Sequence, residues 1–209
     1  MKKIINIILC LIALQIGRFS FKTLAFLFLD KNFITDVIVS SIYMIIIIIF
    51  SIISIKKNEL GLNIFPKRFN WRYIVTSTIL FIFIFTTPII TKSNSLYDVL
   101  SLIYGSIITV IFEEIIFRGY VYKKISIIKK DLWAYIISTL IFGIWHLGYI
   151  DTVMWRVSMI SPNANIMNIM FWKVITGLSF GIVVGFFRYK NKNVYSSIIV
   201  HALLNTFGR

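Results

Sequence analysis

The feature that most constrains this chain is a series of apolar runs, each near the roughly 20 residues that a helix needs to cross a bilayer. Seven occur: Ile4 to Leu29, Phe33 to Ile55, Trp71 to Ile90, Leu96 to Tyr122, Leu132 to Tyr149, Met167 to Phe187 and Val194 to Phe207. Hydrocarbon offers no hydrogen-bond partner to a backbone amide, so an uninterrupted apolar run of this length satisfies its own N–H and C=O groups as a helix. The predicted fold class is therefore all-α, a polytopic membrane helix bundle of about seven transmembrane helices. Composition agrees, since 58% hydrophobic residues, 14% charged residues and a mean hydropathy of +0.88 fall outside the soluble globular range. No Gly/Ser linker, low-complexity tail or internal repeat divides the 209 residues, so one integral membrane domain over residues 1–209 is expected.

The net charge of +14 does not point to nucleic acid, because the basic residues stand in short clusters between apolar runs rather than on one soluble face. Their rich and poor clusters alternate. Lys2 and Lys3, then Lys56, Lys57, Lys67, Arg68 and Arg72, then Lys123, Lys124, Lys129 and Lys130, then Arg188, Lys190 and Lys192 lie at one set of gaps. The opposite gaps hold Lys31, Lys92, Arg156 and Arg209, with Lys173 near a helix start. The positive-inside rule then predicts a cytoplasmic N-terminus and an external C-terminus. Lys2 and Lys3 before an apolar run resemble a signal peptide, yet no small-residue cleavage site follows and the segment is expected to be retained. Cys10 is the single cysteine, which excludes an intramolecular disulfide.

Ionisable groups at membrane depth are expensive, so those present are candidates for function. Gln15, Arg18 and Lys22 interrupt the first run, either as one polar stripe facing the bundle or as a division into a membrane helix and an interfacial one. In the fourth run, EEIIFRG carries Glu113, Glu114 and Arg118. The i,i+4 spacing places Glu114 and Arg118 on one face, while Glu113 points about 100° away and is free for another partner. The bland reading of this run is a structural ion pair beside a protonated carboxylate. FGIWH sets Phe142 and His146 one turn apart, and HALLN does the same for His201 and Asn205. Each pair alone reads equally well as interhelical hydrogen bonding. Both histidines of the chain and two glutamates in membrane helices are harder to explain as packing.

At about 1.5 Å per residue, both glutamates and His201 lie roughly 11 to 15 Å from the cytoplasmic end of their helices, whereas His146 lies near 20 Å. If these groups converge, their chemistry is water attack on an amide, with a carboxylate to take the proton, an imidazole to orient water and donors for the oxyanion. An HExxH zinc site is missing from the sequence.

At these residues the chain resembles the CPBP family, the CAAX proteases and bacteriocin-processing enzymes also called Abi proteins. The pattern EExxxR, FxxxH and HxxxN on successive membrane helices is met by Glu113, Glu114 and Arg118, by Phe142 and His146, and by His201 and Asn205. The resemblance covers a catalytic core at about residues 96–207. It implies an intramembrane endopeptidase with a site opening to the cytoplasm: Glu113 as general base, His146 holding the attacking water, His201 and Asn205 at the oxyanion, and Glu114 with Arg118 bracing the site. The family is also described as metalloproteases. A metal-free glutamate mechanism suits this ligand-poor set and requires no cofactor, with a divalent metal such as zinc on two His and one or two Glu as the other reading.

The implied partners are the lipid bilayer and a membrane-associated protein or peptide substrate, which is prenylated in eukaryotic relatives and linked to peptide maturation or bacteriocin immunity in bacterial ones. Richness in Ile, Lys and Asn suggests a bacterial plasma membrane. Gly177, Gly181 and Gly185 form GxxxG steps that let a neighbouring helix approach closely and bring the seventh span against the catalytic helices, a homodimer contact being the second reading. The rival functions are a non-catalytic immunity or scaffold protein and a proton-coupled transporter, although no inverted repeat supports the latter. The external segment with Asp151, Trp155, Arg156 and Pro162 is expected to be an interfacial loop.

Overall fold

The computed structural model describes residues 2–56, 62–93 and 95–207; Lys57 and Arg209 of the basic clusters lie outside them. The apolar runs form the helices α1 (Lys2–Ala25), α2 (Phe33–Lys56), α3 (Trp71–Thr91), α4 (Leu96–Ser126), α5 (Asp131–Ile160), α6 (Ile166–Asn191) and α7 (Val194–Phe207). Six are long and apolar enough to cross a membrane, and α7 is a shorter apolar helix. The expected polytopic helical membrane bundle is therefore the fold. Ile, Leu and Phe side chains stand exposed around it, including Phe28, Phe50, Ile89 and Ile160, while Glu114, Arg118, Asp36 and Ser138 are completely buried. This inside-out distribution suits a hydrocarbon solvent, which rewards polar groups for pairing with each other.

Local chemistry marks the helix ends. The side chains of Asn70, Ser95 and Asn165 accept from the amides of Tyr73, Asp98 and Asn168, satisfying donors that the first turn of a helix leaves unpaired. Lys192, in the left-handed region at φ 58°, ends α6, and Asn193 then accepts from the Ser196 amide. The resulting tight hairpin sets α7 antiparallel beside α6. The carbonyls of Asn63 and Ile64, before α3, accept from the amides of Val194 and Tyr195 at the start of α7. On the far side, Ser77 and Tyr195 share a hydrogen bond of 2.7 Å that ties α3 to α7.

The most enclosed span is α4: half of its apolar window is buried, against a third or less in the other long spans. It is not uniform. Tyr104–Ile108 and Ile115–Val121 are π-helical, and between them lies one short α segment, Thr109–Glu114. Helix α5 also changes winding, passing from α helix through a 3-10 turn at His146–Tyr149 and continuing as helix over Ile150–Ile160. The segment with Asp151, Trp155 and Arg156 is thus the continuation of α5 and not a loop.

Helix α1 is unbroken, which decides between the two readings of its polar residues. Gln15, Arg18 and Lys22 form one stripe that faces the bundle. Arg18 pairs with Asp151 at 2.6 Å and also donates to the Gly148 carbonyl. Lys22 pairs with Asp36 of α2 at 2.6 Å, and Arg156 reaches the same carboxylate at 2.8 Å. A network of charges, buried on α1 and α2 and half-buried on α5, therefore fastens the second half of α5 to α1 and α2. Breaking one member of such a network leaves a buried charge without its partner, at a cost of about 3–5 kcal/mol. Asp36→Ala, which strands both Lys22 and Arg156, is expected to lower the thermal midpoint of the detergent-solubilised protein by several degrees. An unchanged midpoint would show that the network contributes nothing to stability.

Candidate active site

The short α segment between the π stretches turns the two glutamates of α4 to different partners, as their 100° separation predicts. Glu114 faces inward: its Oε1 lies 3.2 Å from Arg118 Nη1 and 2.9 Å from His201 Nδ1. Arg118 has further contacts, although its Nε makes no hydrogen bond among the described residues. Its Nη2 donates to the Gly181 carbonyl at 3.2 Å, and its guanidinium carbon lies 4.2 Å from the centre of the Phe142 ring, close enough for cation–π attraction. Its own carbonyl accepts from Arg188 Nε at 2.9 Å. The first charge of the pair is thus neutralised inside the protein.

Glu113 faces a polar cavity of about 460 Å³. Its Oε1 accepts from the Tyr149 hydroxyl at 3.2 Å, and its Oε2 lies 3.9 Å from His201 Nε2. That second separation exceeds a hydrogen bond and is the kind of gap that one water bridges. His146 stands in the cavity wall, edge-on to Phe142, with Nδ1 2.9 Å from the Phe142 carbonyl. A carbonyl only accepts, so Nδ1 carries the proton and Nε2 of the neutral ring is left as an acceptor. His146 makes no direct contact with Glu113 among the described residues; the two are related through Tyr149. His146 nevertheless shares the cavity with Glu113 and His201.

Asn205 also lines the cavity, and its Nδ2 donates to the Gly105 carbonyl at 2.8 Å. Gly105 belongs to the first π stretch, where the wider winding weakens the regular i to i−4 ladder and makes carbonyls available to side chains. One N–H of the amide is thereby committed to α4, which reduces what Asn205 can offer an oxyanion. All six motif residues, Glu113, Glu114, Arg118, His146, His201 and Asn205, converge around one site. Glu113, His146, His201 and Asn205 line the cavity, while Glu114 and Arg118 lie behind it.

The glycines act where the sequence did not predict. A Cβ added to Gly177 would come within 2.6 Å of the His146 ring, and one on Gly185 within 2.8 Å of Tyr135. Gly181 faces Thr139 and Phe142 in the same way. The stripe thus admits α5 to α6, whereas the tight hairpin and contacts with α4 place α7. Two further cavity residues carried no motif. Tyr149 follows His146 by three residues, so its helical spacing offered a signal; Lys173 offered none.

The direction of the cavity sets two of the expectations against each other. On α4 its lining extends from Glu113 back to Tyr104, on α5 from Phe142 forward to Arg156, on α6 from Phe180 back to Lys173, and on α7 from His201 forward to Asn205. Each helix leads toward the bundle end that bears Leu96 and Ile160, away from the lysine-rich Tyr122–Ser126 end. The glutamates form the floor. A cytoplasmic opening and a cytoplasmic position for the basic loops therefore cannot both hold.

Among the described residues, no group of three or more His, Cys, Asp or Glu side chains is arranged to hold a metal ion. Both Nδ1 atoms are committed, to Phe142 and Glu114, and Glu114 is committed to Arg118. The donors left facing the cavity, Nε2 of His146, Nε2 of His201 and Glu113, are not gathered into such a group, and no chemical step is assigned to a metal.

With this geometry in hand, comparison with protein families finds that residues 94–207 match the family described as Type II CAAX prenyl endopeptidase Rce1-like. The match spans more than half of the chain and contains the whole cavity. The chain belongs to this family of CAAX-type intramembrane endopeptidases. Comparison with curated proteins and with solved structures found no match.

Gly177→Ala tests the packing of the wall, since the added methyl must displace the His146 ring from the Phe142 carbonyl. A displacement near 1 Å in a catalytic group can cost about 10²-fold in rate. Cleavage by this variant is expected to fall by that order while its thermal midpoint stays near the wild-type value. Full activity would remove His146 from the working site.

Proposed function

We propose that the protein hydrolyses a peptide bond in a membrane-associated protein or peptide, using water activated by Glu113 and no metal. The observation that carries this reading is the division of labour between adjacent carboxylates: Glu114 is spent on Arg118 and His201, while Glu113 faces the cavity with its Oε2 a water's breadth from His201.

In the first step, water held between Glu113 and the acceptor nitrogen of His146 gives a proton to Glu113 as its oxygen attacks the carbonyl carbon. The carbonyl π bond opens to an oxyanion. His201 faces this charge, and the carboxylate at its Nδ1 supports the ring when it carries a proton on each nitrogen. The remaining N–H of Asn205 adds a second donor. In the next step the C–N bond breaks, and the proton on Glu113 passes to the leaving amine. Tyr149, donating to Oε1, keeps the carboxylate turned toward the reacting water. A positioned general base contributes about 10²–10⁴-fold to such a reaction.

The alternation of basic clusters supports a cytoplasmic N-terminus and external C-terminus, and the richness in Ile, Lys and Asn supports a bacterial plasma membrane. In that orientation the cavity receives substrate from the external half of the bilayer. In cells expressing Val153→Cys in a Cys10→Ser background, a membrane-impermeant maleimide is expected to label the cavity mouth from outside. Labelling confined to inverted vesicles would reverse the orientation.

Glu113→Gln preserves shape while removing the base, and turnover is expected to fall by about 10³-fold with the fold intact. Comparison of peptide N- and C-termini between cells expressing wild type and this variant should reveal ends that depend on Glu113. If a phenotype conferred by wild type survives in the variant and no ends differ, the protein acts by binding, as an immunity or scaffold protein would.

A further inference from the structure

A second cavity, of about 510 Å³, opens on the flank of the bundle between α1 and α5, and none of the six motif residues lines it. Its volume falls in the range of pockets that hold a small ligand, about 300–1,000 Å³. The walls are mostly isoleucine, with Ile7 and Leu11 buried at the floor and Ile8, Ile12 and Ile144 exposed at the rim. Isoleucine on a helix is held largely to one χ1 rotamer, so these walls do not rearrange to fill the space. One end is closed where Gly148 meets Gln15, with no room for a Cβ between them, and Gln15 also donates to the Trp145 carbonyl at 3.4 Å. Trp145 separates this groove from the active site. It lines the groove, while its Nε1 donates to the Tyr149 hydroxyl at 3.1 Å, which in turn donates to Glu113.

The other end of the groove is charged. Lys129, in the turn between α4 and α5, is the one charged side chain in the lining among the described residues, and it is exposed. Lys130 adds a second exposed cation beside it, and the neighbouring acid, Asp131, is already engaged by Lys192 at 2.7 Å. A turn joining two spans stands at the level of the membrane interface, where basic residues meet lipid headgroups. An ammonium at headgroup depth therefore caps an apolar slot that descends into the hydrocarbon. From Ile4 to Ile16 the slot follows α1 for about 18 Å at 1.5 Å per residue, close to the roughly 15 Å that the acyl chains of one leaflet occupy. A slot of chain length with a cation at its mouth matches an anionic phospholipid. A second copy of this chain, with a net charge of +14, would bring mostly further cations to that mouth.

We propose that this groove binds one acyl chain of an anionic phospholipid, with the phosphate on Lys129 and the end of the chain against Gln15 and Trp145. The lipid is a bound component of the protein and not its substrate. Its binding is independent of the hydrolytic reading above, since no residue of the groove takes a step in that reaction.

The test uses the full-length wild-type protein in phosphatidylcholine nanodiscs containing a small fraction of a photoactivatable lipid. The probe is phosphatidylglycerol in one sample and phosphatidylcholine in the other, each with a diazirine at the end of one acyl chain. After illumination, mass spectrometry of the digested protein measures the label on the peptides bearing Gln15 and Trp145. The phosphatidylglycerol probe is expected to label them about fivefold more than the phosphatidylcholine probe, the effect of one lysine near an anionic lipid surface. Lys129→Gln, at an exposed position in a turn, should bring this ratio close to one, and Lys129→Arg should keep it. Lys67→Gln, which removes an exposed cation from a different turn, should leave it unchanged. Equal labelling by the two probes, or a preference that survives Lys129→Gln, overturns the proposal. So does an equal loss with Lys67→Gln, which would assign the preference to overall charge, and so does the absence of label from both peptides, which would show the slot closed to lipid. A failure of the hydrolytic reading would appear in the search for Glu113-dependent peptide ends and would leave this ratio unchanged.

Discussion

The guanidinium of Arg118 is the interaction on which the site depends. A fully buried cation in a bundle surrounded by hydrocarbon needs partners, and those of Arg118 come from three different helices, with its Nε left without a hydrogen bond among the described residues. Glu114 supplies the counter-charge from α4 itself, Gly181 a backbone carbonyl from α6, and Phe142 an aromatic face from α5. His201 of α7 joins through Glu114. Satisfying this one charge therefore brings together α4, α5, α6 and α7, and it leaves Glu113, one residue from Glu114, at the edge of the assembly. The second carboxylate faces the cavity, while the first is engaged through Oε1 by Arg118 and His201.

Around this centre the protein uses two other means of building a polar site in an apolar medium. Irregular winding is the first. The π stretches of α4 bracket the glutamates and make the Gly105 carbonyl available to Asn205, while the 3-10 turn of α5 brings His146 and Tyr149 to one wall. Departures from the α-helical ladder are tolerated at membrane depth where protein or a polar cavity meets the altered backbone. The second is the charge network that joins Arg18 and Lys22 to Asp36, Asp151 and Arg156. It anchors the half of α5 that forms the cavity mouth, so the first two helices, which contribute no residue to the catalytic motifs, hold the entrance in place.

Much of this was legible in the residues. Apolar runs of bilayer length specified the helices, because a chain in hydrocarbon has few ways to satisfy its backbone. The spacing of Glu114 and Arg118 specified an ion pair, and it survives although Arg118 lies in a π stretch. Three motifs, on α4, α5 and α7, identified residues that converge around the cavity, and the family match over residues 94–207 covers the segments that carry them. These are local properties: hydropathy and periodicity depend on the chain within a few turns.

What the tertiary structure alone decided concerns which surfaces meet. Gly177, Gly181 and Gly185 read as a contact stripe but not as a contact with α5 in preference to α7, since a small residue permits close approach without choosing the neighbour. Tyr149 and Lys173 joined the site through the packing of α5 against α6 and α4. The direction of the cavity depends on which ends of four helices diverge, and no single segment encodes that. The sequence by itself determined the helices, their solvent and the reactive groups. Their partners and the way in to the site came from long-range packing, where a buried charge must be matched by groups far away in the chain.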